Sequence, residues 1–135
     1  MAGDGEIVKI GLLGRGTVGG AFADLVAERA DAIATLTGKR PQVSGVLTSS
    51  TGDYDEILAD ADVIVELIGG LEPARDYVAR ALAAGKPVIS ANKALISTYG
   101  EQLFAASDDS GAPLLFEAAV AGVIPAIRVI EESLA

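Results

Sequence analysis

The chain has 135 residues, 50% of them hydrophobic and only 4% aromatic, with a formal net charge of −9 and a mean hydropathy of +0.43. That length suits a single domain with a core, while the acidic balance argues against nucleic acid and anionic membrane surfaces as partners, since phosphate neutralisation needs clustered Lys and Arg. Cys and His are both absent, which excludes disulfides, thiol nucleophiles and Cys- or His-ligated metals and leaves proton transfer to Lys, Tyr, Asp, Glu or water.

Met1–Glu6 is a polar lead-in without the apolar core of a signal peptide. No apolar run reaches the roughly 18 residues that span a bilayer, so the sequence reads as soluble and cytoplasmic. Ile7–Leu13 is the first predicted strand. Three glycines follow, Gly14, Gly16 and Gly19, and then an amphipathic helix over Val18–Leu36. Strand, tight turn and helix with GxGxxG spacing form a dinucleotide-binding pattern. The first glycine allows the turn, the second admits a pyrophosphate close to the backbone, and the third lets helix and strand pack closely. The helix N-terminus adds free N–H groups and a positive dipole end. The same glycines also suit an ordinary strand-to-helix turn.

Gly38 and Pro41 end that helix, and Gln42–Leu47 is the second predicted strand, followed by a polar turn at Thr48–Gly52. Asp53 is a plausible cap for a short helix over Asp53–Ala59. Asp62–Ile68 is a third strand, apolar on both faces except at Glu66, and therefore central. Gly69–Gly70 turns the chain into a helix beginning at Glu72–Pro73 and running to Ala84. Val88–Ser90 is the fourth strand, Tyr99–Ser107 a helix, Leu114–Glu117 the fifth strand and Pro125–Leu134 the last helix. The alternation predicts an α/β fold: a Rossmann-like, doubly wound parallel sheet of five strands in the chain-numbered order 2-1-3-4-5, one domain over residues 1–135. Ligands then bind at the carboxyl ends, where the order reverses between the first and third strands. Breaking off at Leu134–Ala135 looks like a cut inside a longer polypeptide.

Four segments meet at that edge: Gly14–Gly19, Thr48–Ser50, Ile68–Gly70 and Ser90–Lys93. A preference for NAD rests on a carboxylate at the end of the second strand. Here that place reads Thr48, Ser49, Ser50, and Lys39 and Arg40 lie at the other end of the strand. The hydroxyls lean toward the 2′-phosphate of NADP, although the same residues equally make a plain turn. Arg15 can lie along the phosphates or in solvent. Ile68 and Gly69 offer an apolar surface and close backbone approach to a flat nicotinamide. Lys93 follows a buried strand, where an ammonium near the nicotinamide can bind a substrate oxygen and stabilise developing charge. By composition alone such a lysine is more often a solvated surface residue.

Leu67–Arg75 (LIGGLEPAR), Ser90–Ile96 (SANKALI) and Phe116–Pro125 (FEAAVAGVIP), together with Gly11–Gly20 (GLLGRGTVGG), resemble the amino-terminal domain of the homoserine dehydrogenase family over nearly the whole chain. The resemblance implies reversible reduction of aspartate 4-semialdehyde to L-homoserine with NADPH or NADH, a step toward threonine, methionine and isoleucine. It implies that Gly14, Gly16, Thr17, Val18 and Gly19 hold the pyrophosphate. Gly69 and Ser90 would line the nicotinamide and ribose, and Lys93 would be the lysine near nicotinamide and substrate. It further implies a sodium ion held largely by backbone oxygens of Glu117, Val120, Gly122 and Ile124.

Two departures from the family bear on function. The Thr48–Asp53 stretch is shorter than in many relatives, which leaves the choice between NADP and NAD open. The family's substrate and dimerisation domain is absent, so this chain is expected to bind cofactor without efficient turnover, and the complete enzyme to be a homo-oligomer through the absent part. Two other functions fit the same residues: a stand-alone, redox-sensing dinucleotide-binding module, and a related dehydrogenase with another small substrate.

Overall fold

The computed structural model describes residues 5–14 and 16–134. Five parallel strands form one sheet: β1 (Glu6–Leu13), β2 (Lys39–Leu47), β3 (Val63–Glu66), β4 (Val88–Ser90) and β5 (Leu114–Phe116). Their order is β2-β1-β3-β4-β5, the order expected from the lengths of the connections. Five helices link and follow them: α1 (Gly16–Thr37), α2 (Tyr54–Asp60), α3 (Ala74–Ala83), α4 (Lys93–Ser110) and α5 (Ala119–Leu134). None of the described helices is long and apolar enough to cross a membrane.

The strands alternate between two cores. Val8, Ile10, Leu12, Val63, Val65 and Ile89 pack with Phe22, Val26 and Ile33 of α1 and with Val123, Ala126 and Ile127 of α5. On the other face Leu13, Ile64 and Val88 pack with Ile57 of α2, Val78 and Leu82 of α3, and Leu95 and Leu103 of α4. Burial of a side chain such as Ile64, Leu82 or Leu103, all fully covered, contributes about 1.5–3 kcal/mol. A surface ion pair such as Lys9–Asp60, at 3.0 Å, contributes about 1 kcal/mol or less. Packing of helices on both faces therefore holds the sheet.

Three elements start three or more residues before the position read from the sequence. β2 begins at Lys39, not Gln42, with Pro41 paired to Val8. The strand lies at the sheet edge, where a missing N–H costs no ladder bond. α4 begins at Lys93, not Tyr99, because Asn92 caps it: its side chain accepts the Leu95 N–H at 3.0 Å. α5 begins at Ala119, so that Pro125 lies inside the helix rather than at its start.

Candidate functional site

Gly14 and Gly16 shape the turn between β1 and α1 for different reasons. Gly14 has φ +94, and a Cβ there would stand 3.1 Å from the Leu67 carbonyl and the Ile68 nitrogen. Only glycine meets both demands. Gly16 has φ +30, and a Cβ on it would meet no atom within 4 Å. That open space belongs to a cleft of about 600 Å³ along Gly16, Thr17, Val18 and Gly19, the first turn of α1. The unpaired N–H groups and the dipole of a helix N-terminus favour an anion there. None of the described residues lining the cleft is Lys, Arg, Asp or Glu, so among them anion binding falls to backbone N–H groups and the hydroxyls of Thr17 and Ser49. Arg15, expected along the phosphates, lies outside the described residues.

The cleft crosses the point where the strand order reverses. Its far walls are Leu47 at the end of β2 with Thr48 and Ser49 after it, Leu67 and Ile68 after β3, and Pro73 and Tyr77 at the start of α3. Of the residues expected to bind cofactor, Gly14, Gly16, Thr17, Val18, Gly19, Thr48, Ser49 and Ile68 are brought together here. Leu47, Leu67, Pro73 and Tyr77 were not anticipated. Their signal was positional, since a helix that follows a strand-end glycine turn starts at the same sheet edge. Tyr77 is backed by Tyr54, with ring centroids 4.3 Å apart, and the Tyr54 hydroxyl donates to the Tyr77 carbonyl at 2.5 Å. Burial pushes the Tyr54 phenol well above its ordinary value, and the Arg80 guanidinium partly opposes the shift.

The hydroxyls after β2 divide into two roles. Thr48 Oγ1 accepts the Thr51 N–H at 2.9 Å and shares a hydrogen bond of 2.7 Å with Thr51 Oγ1. It is committed to the turn. Ser49 is exposed and lines the cleft.

Beyond Ile68 the carboxyl ends of β3 and β4 carry a buried polar network. Glu66 is 1% exposed. One carboxyl oxygen accepts the Ser90 hydroxyl at 2.7 Å, and the other accepts the Gly69 N–H at 3.0 Å. Ser90 Oγ also accepts the Asn92 N–H at 3.1 Å, and Asn92 Nδ2 donates to the Gly70 carbonyl at 2.7 Å. Ser90 is fully buried, and its hydroxyl is engaged by Glu66 and Asn92. Gly69 and Lys93 are exposed. Lys93 is the first residue of α4, and neither residue lines the cleft itself.

The expected sodium set spans the turn before α5 and the first turns of that helix. The Glu117 N–H donates to the Ser90 carbonyl at 3.1 Å, in the turn before α5. Val120, Gly122 and Ile124 lie within α5. Helical carbonyls point along the axis toward N–H groups four residues on, and successive residues turn by about 100°. Gly122 thus lies about 200° around α5 from both Val120 and Ile124. The described residues contain no cluster of acids able to hold a metal.

A family model described as "Homoserine dehydrogenase, NAD binding domain" matches residues 14–117. The chain belongs to that family. Homoserine dehydrogenase of Pseudomonas aeruginosa is 38% identical over 94% of this chain and 32% of its own length. That of Corynebacterium glutamicum is 39% identical over 98% of this chain and 33% of its own. The crystal structure of a homoserine dehydrogenase from Thiobacillus denitrificans superposes with a TM-score of 0.79 at 36% identity, covering 84% of this chain and 30% of that one. The chain thus spans about a third of the length of the curated homoserine dehydrogenases it matches. The family match begins at Gly14 and ends at Glu117, so it takes in every segment that forms the cleft and its polar margin.

Proposed function

We propose that this chain binds NAD(P) across the sheet's carboxyl edge and serves as the nucleotide-binding part of a homoserine dehydrogenase. The observation that carries the reading is Gly16, which heads a helix and opens on the cleft, where none of the described lining residues is charged. Its first-turn N–H groups hold the pyrophosphate. The adenosine half extends over Thr48, Ser49, Pro73 and Tyr77. The nicotinamide half extends past Ile68 toward Gly69 and the β4 end. Ser49 together with the lack of a carboxylate on the described cleft wall favours NADP, because a ribose 2′-hydroxyl is held by an acid at this place and a 2′-phosphate is repelled by one.

The cofactor's contribution when bound is a hydride for the carbonyl carbon of L-aspartate 4-semialdehyde, giving L-homoserine reversibly. Lys93 orients and polarises the substrate oxygen with its ammonium, which forms no ion pair with the described residues. A substrate-binding and dimerising region outside these 135 residues completes the site, and either it or water supplies the proton.

Titrating the chain with NADPH and with NADH, alongside Gly16→Val, tests the binding function. Saturable binding that is tighter for NADPH and lost in the variant is expected. If the unmodified chain binds neither, the reading is wrong. Lys93 is tested in the full-length enzyme, where Lys93→Ala with near-normal turnover would refute its role.

A further inference from the structure

We propose that Glu66 is a positioning residue for the nicotinamide end of the cleft, its two carboxyl oxygens setting the Gly69–Gly70 turn against the Ser90–Asn92 segment that leads into Lys93. The proposal rests on the dinucleotide reading of the cleft. Strand order fixes the direction of such a ligand. With its pyrophosphate at the turn after β1, one half lies over the end of β2 and the other over the ends of β3 and β4. Glu66 is the last residue of β3, and Ser90, its register partner, is the last residue of β4.

A carboxyl group is a costly way to fill the end of a central strand, since a buried polar group must be fully bonded. Here every bond goes to one of two segments. Oε2 takes the Gly69 N–H at 3.0 Å and lies 3.5 Å from Asn92 Nδ2. Oε1 takes the Ser90 hydroxyl at 2.7 Å. Asn92 closes the loop by donating to the Gly70 carbonyl at 2.7 Å while capping α4 through Leu95. Two consecutive glycines make the first segment conformationally free, so its placement depends on these tethers. The same tethers fix the start of α4 and hence the backbone of Lys93. Nothing in the network reaches the β2 side of the cleft, where the adenosine half binds.

This separation makes a specific test possible. Glu66→Ala and Glu66→Gln are compared with the unmodified chain by calorimetric titration. The titrants are the reduced dinucleotide that the chain binds and the same molecule without nicotinamide, ADP-ribose or its 2′-phosphate. Losing the tethers should weaken the whole dinucleotide by roughly tenfold or more in Glu66→Ala, while the truncated ligand changes by less than about twofold. Glu66→Gln keeps one acceptor oxygen and should fall between. It also keeps the test open if the alanine variant does not fold. Equal weakening of both ligands would mean that Glu66 only supports the sheet, and unchanged binding of both would remove its role altogether. Failure of the unmodified chain to bind either ligand would instead refute the dinucleotide reading.

Discussion

Gly14 donates its backbone N–H to the carbonyl of Leu47 across 2.6 Å, joining the turn after β1 to the last residue of β2. The same Gly14 lies against the backbone of Leu67 and Ile68. One residue thus sets the spacing of three walls of the cleft, and it does so because it has no side chain.

Gly14 and Gly16 should therefore fail differently. Gly14→Ala combines an unfavourable positive φ with a tight 3.1 Å approach to the Leu67–Ile68 backbone and should cost about 1–3 kcal/mol of stability, measured as a lower midpoint in urea. Gly16→Ala meets no atom within 4 Å, so its cost is the φ strain alone. It should unfold later than Gly14→Ala and yet bind dinucleotide poorly, since its methyl group occupies cleft space. If Gly16→Ala is the less stable of the two, the assignment of roles is reversed.

Asn92 joins two segments that capping preference alone would not connect. Asn92→Ala loses the cap of α4 and a bond to Gly70, and should cost about 1–3 kcal/mol. Aspartate is as good a cap as asparagine. Here, however, Asn92→Asp removes the donor to Gly70 and sets a second carboxyl group beside Glu66, 3.5 Å from the present Nδ2. Asn92→Asp is expected to be at least as destabilised as Asn92→Ala in urea unfolding. A near-normal aspartate variant would show that Asn92 acts only as a helix cap.

Where sequence and structure agree or part has physical reasons. The strand order was legible because buried parallel strands are short apolar runs, and the connections between them leave little freedom. Glu66 was visible as the one polar residue inside the apolar run that follows Asp62, but its function was not, because its partners Ser90 and Asn92 lie 24 and 26 residues away. The start of α4 was hidden by the same network, since Asn92 reads as part of a polar turn until its side chain is seen to accept the Leu95 N–H. Pro125 concealed the start of α5 by resembling an N-terminal proline. Thr48 and Ser49 look alike in sequence, and only the turn geometry separates them.

That separation predicts a change in cofactor preference. Ser49→Asp places a carboxylate on the cleft wall, where it can bond a ribose 2′-hydroxyl and repel a 2′-phosphate. The NADPH-to-NADH affinity ratio should shift toward NADH by about tenfold or more. Thr48→Ala breaks the turn bonds to Thr51 and should lower stability by about 0.5–1.5 kcal/mol while leaving the ratio nearly unchanged. Parallel titrations of both variants decide the matter, and an unaltered ratio in Ser49→Asp would remove this wall from cofactor selection.

Tyr54 gives the fold an alkaline limit. Burial raises its phenol above the ordinary value of 10.0, so the native state keeps its proton at a pH where the unfolded chain has released it. Native stability is then undiminished below about pH 10 and falls as pH rises above it, because the native state binds more protons than the unfolded one. The slope from this group alone is about 1.4 kcal/mol per pH unit until the native phenol itself ionises. Tyr54→Phe abolishes that slope. It also loses the bond to the Tyr77 carbonyl, at about 0.5–1.5 kcal/mol, so it should be the weaker protein near about pH 8 and lose less stability on going to about pH 11. Urea midpoints of the two proteins across that range should converge. Parallel curves would mean that the Tyr54 phenol ionises equally readily in the folded and unfolded chains.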